Sequence, residues 1–347
     1  MICTASTGTA AVNLNGCTTD SLLKLIQNKK LLIKDSNTCF NDCEYIVIDE
    51  ISMIDGAKFD EITKRISFIN KHRENCKPIK LIICGDCMQL PPINSVSGYF
   101  FNGGEFGDFE FNAYTCKLKE VKRQNNKQFI ELLERVRIGT HTSNDVKYIN
   151  NMKNNTVSED KCIYMCAKNK DVAFINKKFF DENLNEPVTF KKKVQYHMNR
   201  FKIDKLPSTN KIVEDIMKRG DDITLKQDMR VMVTENIDVI NGICNGTVAT
   251  ITKINKDNVE LITESEKRFV VEYYKVESRK IKFDDYDEEL ENHYSIVNDF
   301  MPLVQCNAIT IHKSQGATLN KCILNCDGIF EKSMFYTGLS RIIDPKT

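Results

Sequence analysis

Four apolar residues, Tyr45-Ile46-Val47-Ile48, end abruptly in two carboxylates, Asp49-Glu50. A continuous, β-branched run of this length reads as a strand buried on both faces, the kind found where helices cover a parallel sheet. Phe59, Ile62, Ile66 and Ile69 follow at helical spacing, so a helix comes next. Lys80 to Cys84 reads as a second buried strand closing on Gly85-Asp86. Met1 to Thr4 reads as one further strand, leading through Ser6-Thr7-Gly8-Thr9 into a helix that carries Ala10, Ala11 and Leu14. Alternation of strand and helix predicts an α/β fold with a parallel sheet. Ligands of such sheets sit at the carboxyl ends of the strands, where Asp49, Glu50, Asp86 and Gln89 all fall.

A second α/β pattern returns late, with Ala308–Ile311 running into His312-Lys313-Ser314-Gln315-Gly316, and another strand at Lys321–Cys326. The texture differs from about Asp222 to Tyr274. Short strands at Arg230–Val233, Val248–Ile254, Val259–Ile262 and Arg268–Val271 are broken by Asn241-Gly242 and Asn245-Gly246, which predicts a small inserted β-barrel. The acidic run Asp284 to Glu291 and the basic run Lys191-Lys192-Lys193 read as solvated surface. A chain of 347 residues allows roughly two domains. Its apolar runs are far too short to span a bilayer and no secretory pattern opens it, so a soluble, intracellular protein is expected. Of 14 cysteines, only Cys84 and Cys87 form a CxxC, without a second pair to complete a zinc site; structural thiols are expected. A net charge of +1 excludes a polybasic protein but leaves room for a local phosphate-binding groove.

Asp49-Glu50 after a buried strand has the form of a Walker B pair, one carboxylate for Mg²⁺ and one to polarise the water that attacks a γ-phosphate. Taken alone, two acids at a strand end are more often solvated than catalytic. The sequel narrows the choice: Ile51-Ser52-Met53, then Gly85-Asp86-Cys87-Met88-Gln89-Leu90-Pro91-Pro92. DEISM followed by GDxxQLPP resembles the Pif-type DNA helicases of superfamily one, a group that includes RecD-like enzymes. Other stretches agree in order: Thr4 to Ala11 with Gly16 to Ser21, Gly98-Tyr99-Phe100-Phe101, Arg123-Gln124, the helix Phe129 to Gly139, Met229 to Val233 with Asn245-Gly246-Thr247, Thr310 to Gly316 (THKSQG), and Tyr336 to Arg341 (YTGLSR).

That resemblance implies two RecA-like P-loop NTPase motor domains, 1–139 and 140–347, the second carrying the barrel at about 222–275. It implies ATP and Mg²⁺, with Asp49 on the metal, Glu50 activating water, Gln89 sensing the γ-phosphate, and Arg123 and Arg341 as arginine fingers. Gly85, Asp86, Gln315 and Gly316 would line the nucleotide. Single-stranded DNA, at a forked duplex, would meet Ser6, Thr7 and Thr18 in the first domain and Thr310, His312, Lys313 and Ser314 in the second. Read without the family, Ser6-Thr7-Gly8-Thr9 is an ordinary N-cap turn and His312 a capping or core histidine. The family's GxxxxGK[ST] loop is expected to precede Met1; no Gly-Lys dipeptide occurs in these residues. Asp20 stands where relatives commonly carry histidine, and Gly338 where they carry alanine. An ATP-dependent helicase translocating 5′→3′ therefore competes with an inactive single-strand-binding remnant, and more weakly with a RecD-like exonuclease subunit.

Overall fold

The computed structural model describes residues 1–23, 38–73, 76–93, 95–111, 113–152, 162–198, 211–238, 241–278, 281–282 and 293–345. The chain divides into two compact units, 1–175 with 307–347, and 176–306.

The first unit opens with β1 (Ile2–Ala5), α1 (Gly8–Asn13) and β2 (Cys17–Thr18), then β3 (Tyr45–Asp49), α2 (Gly56–Lys71) and β4 (Lys80–Ile83). The four strands make a wholly parallel sheet in the order β2-β1-β3-β4. Alternate residues of β3, Ile46 and Ile48, are fully buried, and α2 lays Phe59, Ile62, Ile66 and Ile69 into the same core. Asp55 caps α2 by accepting from Lys58 N–H at 2.8 Å, which supplies the usual contribution of about 1 kcal/mol. Phe59 meets Phe100, Phe106 and Phe109 at centroid distances of 5.6–5.9 Å, a tilted and edge-on cluster that fixes the helix on the sheet. One expectation is corrected here. Among the described residues Lys80–Ile83 lies at the edge of this sheet, with Ile82 exposed, and is not a strand buried on both faces; an apolar run cannot distinguish a central strand from an edge one.

The same unit also holds α3 (Lys127–Arg137), β5 (Ile163–Cys166), β6 (Ala308–Thr310), β7 (Cys322–Leu324) and α4 (Lys332–Leu339). These late strands form a second parallel sheet ordered β6-β5-β7. Phe129, Leu132 and Leu133 of α3 pack with Leu339 of α4, as the helical periodicity from Phe129 predicts.

The second unit carries the antiparallel strands. Arg230–Val233, Val248–Ile254, Asn258–Ile262 and Arg268–Glu272 fall where the turn signals put them, and Leu303–Gln305 joins from outside the expected span. They form a five-stranded sheet around Val231, Val233, Ile251, Val259, Leu261 and Val271. Among the described residues no pairing closes this sheet into the expected barrel. A second antiparallel set pairs His293–Phe300 with Lys193–Met198 and Tyr274–Glu277. Lys192 and Lys193 are more engaged than solvated side chains: Lys192 Nζ donates to the Gly220 and Met217 carbonyls, and Lys193 Nζ lies 4.4 Å from the Tyr273 ring centre. The acidic run at 284–291 lies outside the described residues.

Candidate active site

β3 delivers Asp49 and Glu50 to the carboxyl end of the first sheet. Ser6 N–H donates to the Asp49 carbonyl at 3.2 Å, and Ser6 Oγ to the Glu50 carbonyl at 2.9 Å. Glu50 itself sits at φ 53°, ψ 43°, a left-handed conformation that costs a side-chain-bearing residue about 1–2 kcal/mol. Strain of this kind persists where surroundings over-determine it, as functional sites do. Here it turns the chain off the strand axis immediately after Asp49, whose Oδ1 accepts from Glu50 N–H at 2.9 Å.

Residues from far along the sequence converge on that carboxylate. Gln315, 1% exposed, donates from Nε2 to Glu50 Oε2 at 2.9 Å and approaches Ser52 Oγ at 3.4 Å. Burial pushes the Glu50 carboxyl above its ordinary value, against the opposing pull of the Gln315 hydrogen bond and the positive charges of Arg341 and Arg123. Arg341, also 1% exposed, donates from Nη2 to Gln89 Oε1 at 3.0 Å and from Nε to the Thr337 carbonyl at 3.1 Å. Burial and then the neighbouring Arg123 bring its pKa down to about 10, so it remains protonated at neutral pH. Arg123 is anchored through Nη1 on the Ser340 carbonyl at 3.1 Å and through Nε on Thr318 Oγ1 at 3.2 Å. Two guanidiniums within electrostatic reach of each other thus lie near Glu50, with Asp49 acting on Glu50 and Asp86 on Arg341 from the same site. Preorganised, partly dehydrated guanidiniums are groups suited to binding a phosphate.

The other expected nucleotide-lining residues have structural duties. Asp86 accepts from Arg137 Nε at 3.1 and 3.2 Å and Nη2 at 2.9 Å, from Tyr336 OH at 3.0 Å and from Met88 N–H at 3.0 Å. Burial alone would raise its carboxyl, but these donors, Arg137 first, hold it below the usual range. The same environment raises the Tyr336 hydroxyl, burial first. Gly85 lies so close to Ile51 that a Cβ would stand 2.9 Å from the Ile51 nitrogen. Gly316, at φ +80°, packs against Ala10 of α1, where a Cβ would meet the Ala10 methyl at 3.3 Å.

The residues expected to meet DNA divide in two. Thr7 Oγ1 and Thr18 Oγ1 accept from Ala10 N–H and Ser21 N–H, as N-caps do. Thr310 Oγ1 accepts from Lys313 N–H, and buried Ser314 donates to the Ile311 carbonyl at 2.7 Å. His312 is half-buried, its pKa lowered by burial, and Lys313 is exposed. The hydroxyls therefore build the turns, while His312 and Lys313 are the groups with free reach. Asp20 is engaged by Lys58 at 2.8 Å.

Sequence reasoning missed the partners that bind this set together. Ser52 lies beneath Gln315, and Gln124 clamps the Ser340 and Ile342 carbonyls at 3.0 and 2.8 Å. Arg137 and Tyr336 were visible as motif letters, but nothing in their spacing announces a shared carboxylate 51 and 250 residues away.

A family model described as PIF1-like helicase matches residues 1–98. The ATP-dependent DNA helicase PIF1 of Xenopus laevis is 27% identical over 351 residues, covering 97% of this chain and 52% of that protein. The ATP-dependent DNA helicase Pif1 of Campylobacter jejuni is 26% identical, covering 100% of this chain and 81% of that one. The chain thus spans about half the length of its vertebrate relatives. Among solved structures, Pif1 helicase from Candida albicans superposes with a TM-score of 0.77 at 24% identity, over 99% of this chain and 82% of that chain. Bacteroides Pif1 in complex with ADP-AlF3 and ssDNA gives 0.74 at 24%, over 99% and 81%. The chain thus shares an α/β fold with parallel sheets with these solved structures, and in sequence it is similar to PIF1-like helicases.

Proposed function

We propose that this chain is the body of an ATP-dependent DNA helicase, with motor domains at 1–139 and 140–347 that close on ATP and move along single-stranded DNA. The observation that carries the reading is the convergence of Gln315, Arg341 and Arg123 about the Glu50 carboxylate, with Gln89 hydrogen-bonded to Arg341. In the reaction a water oxygen bonds to the γ-phosphorus and its proton passes to Glu50. The bond from that phosphorus to the β–γ bridging oxygen breaks, leaving ADP and phosphate. Arg123 and Arg341 stabilise the charge that gathers on the transferring group, a role worth about 10³–10⁵ in rate elsewhere. Gln89, bonded to Arg341, is placed to register loss of the γ-phosphate.

Asp49 suits Mg²⁺. It offers a hard carboxylate, and among the described residues no cluster of three His, Cys, Asp or Glu could hold a metal unaided. A cation that takes most of its ligands from phosphate and water matches that donor set. Bound there, Mg²⁺ would neutralise phosphate charge. His312 and Lys313 are the leading contacts to single-stranded DNA, supported by the capped turns at Thr7 and Thr18 and by Ser6 beside them. Polarity of 5′→3′ and action at forks follow from the resemblance.

A second reading, a single-strand-binding module without hydrolysis, draws on the lack of a GxxxxGK[ST] segment in these 347 residues. ATP turnover with and without oligothymidylate separates the two, measured on this chain and on the chain extended by such a segment. DNA-stimulated turnover that disappears in Glu50→Gln, with ATP binding retained, supports the helicase. Tight DNA binding indifferent to ATP in both proteins supports the second reading. Near wild-type turnover in Glu50→Gln would sink the role given to Glu50.

A further inference from the structure

The general base is held at both ends by the two segments expected to carry DNA. Ser6 Oγ donates to the Glu50 carbonyl at 2.9 Å, and Gln315 Nε2 donates to its carboxylate at 2.9 Å. Gln315 is two residues from exposed Lys313, and the turn between them is stiff. Ser314 N–H donates to Thr310, Gln315 N–H to the His312 carbonyl, Ala317 N–H to the Ser314 carbonyl, and Ser314 Oγ to Ile311. Gly316 fixes the far side of that turn against Ala10. A displacement at His312 or Lys313 is therefore passed to the Gln315 side chain instead of being absorbed.

That side chain is held from one side only. Its Oε1 is buried without a hydrogen-bond partner, so the amide is retained by Nε2 alone, on Glu50 and more loosely on Ser52. A buried amide satisfied on one side has reason to re-seat when its backbone moves. An element with two arrangements that touches both sites is the physical requirement for coupling them.

We propose that Gln315 is a positioning residue that links single-stranded DNA on the His312–Lys313 turn to the orientation of the Glu50 carboxylate. DNA on the turn would decide whether Glu50 is held by Gln315 or freed toward the attacking water, so turnover would answer to the strand. The inference rests on the helicase reading of the preceding section.

Linkage is reciprocal: if DNA on the turn biases Glu50 through Gln315, the state of Glu50 must bias DNA affinity through the same amide. The test is a double-mutant cycle on the dissociation constant for oligothymidylate, read by fluorescence anisotropy without nucleotide on the whole chain. Glu50→Gln and Gln315→Met, which keeps length but removes the donor, are measured singly and together. Simple electrostatic effects of the lost charge cancel in the cycle. The expected result is non-additivity of about fivefold or more, whereas an Asp49→Asn control paired with Gln315→Met is additive within about twofold. Gln315→Asn, which retains a shorter amide, should recover part of the coupling. Thermal melting confirms that each variant folds; Gln315→Ala substitutes should Gln315→Met fail. Additivity of Glu50 and Gln315 with intact DNA binding overturns the link alone. Failure of the wild-type chain to bind oligothymidylate overturns the link and the DNA reading together.

Discussion

Replacing Arg137 by methionine keeps the aliphatic stem and removes the guanidinium from Asp86. The pair is made by two guanidinium nitrogens at 2.9–3.2 Å, and its side chains retain 23% and 18% of their exposure. Exposed pairs contribute about 0–1 kcal/mol, and breaking a fully buried one costs about 3–5. This pair is intermediate, and Asp86 keeps Tyr336 OH and the Met88 N–H. The expected loss is about 2 kcal/mol at pH 7. Asp86 is held below the ordinary carboxylate range, so its contribution is complete above the unfolded value of about 4 and lost as pH falls through the lower folded value. With Arg137 gone, burial of Asp86 would prevail and its carboxyl would rise. Urea unfolding of both proteins at pH 7 and near pH 3 reads the difference, which should be largest at neutrality and shrink in acid. A loss under about 0.5 kcal/mol, or one equally large at both pH values, would refute the reasoning.

Two further outcomes are expected. Lys313→Ala should weaken oligothymidylate binding several-fold and flatten its salt dependence by about one phosphate contact, while leaving nucleotide affinity unchanged; titration at two salt concentrations checks this. Phe59→Ala opens a cavity at the centre of the ring cluster and should cost about 3–5 kcal/mol in chemical denaturation, a small loss indicating that Phe100, Phe106 and Phe109 collapse into the space.

The first sheet was legible because its signals are local. Ile46 and Ile48 alternate within one strand, and Phe59, Ile62, Ile66 and Ile69 mark one face of one helix. The strand ends that place Asp49, Glu50 and Gln89 follow from the same periodicity. What stayed hidden depends on meetings across the chain. The edge position of Lys80–Ile83 among the described residues is set by what lies beside it, the fifth antiparallel strand arrives from 303–305, and the Asp86 network takes its donors from 137 and 336. Motif order brought Gln315 into view as a residue lining the nucleotide; only geometry shows its amide on Glu50. Likewise Thr310 and Ser314, read as DNA contacts, spend their hydroxyls on the turn that presents their neighbours. Gly338, which stands where relatives commonly carry alanine, admits Leu324 so closely that a Cβ would lie 2.7 Å from its methyl.

The interruption of the first unit by residues 176–306 sets an order of events at the ribosome. Both partners of β5, at Ala308–Thr310 and Cys322–Leu324, are synthesised after the whole intervening unit, so Ile163–Cys166 must wait with its edges unsatisfied. High contact order of this kind slows folding and prolongs exposure to aggregation and to chaperones. Arg341, Gln315 and Ser340 emerge only after all of residues 176–306, and without them Glu50, Gln89 and Arg123 lack the hydrogen-bond partners described above. A nascent chain stalled before residue 307 would thus carry Asp49 and Glu50 but lack the Gln315 and Arg341 side chains that meet Glu50 and Gln89.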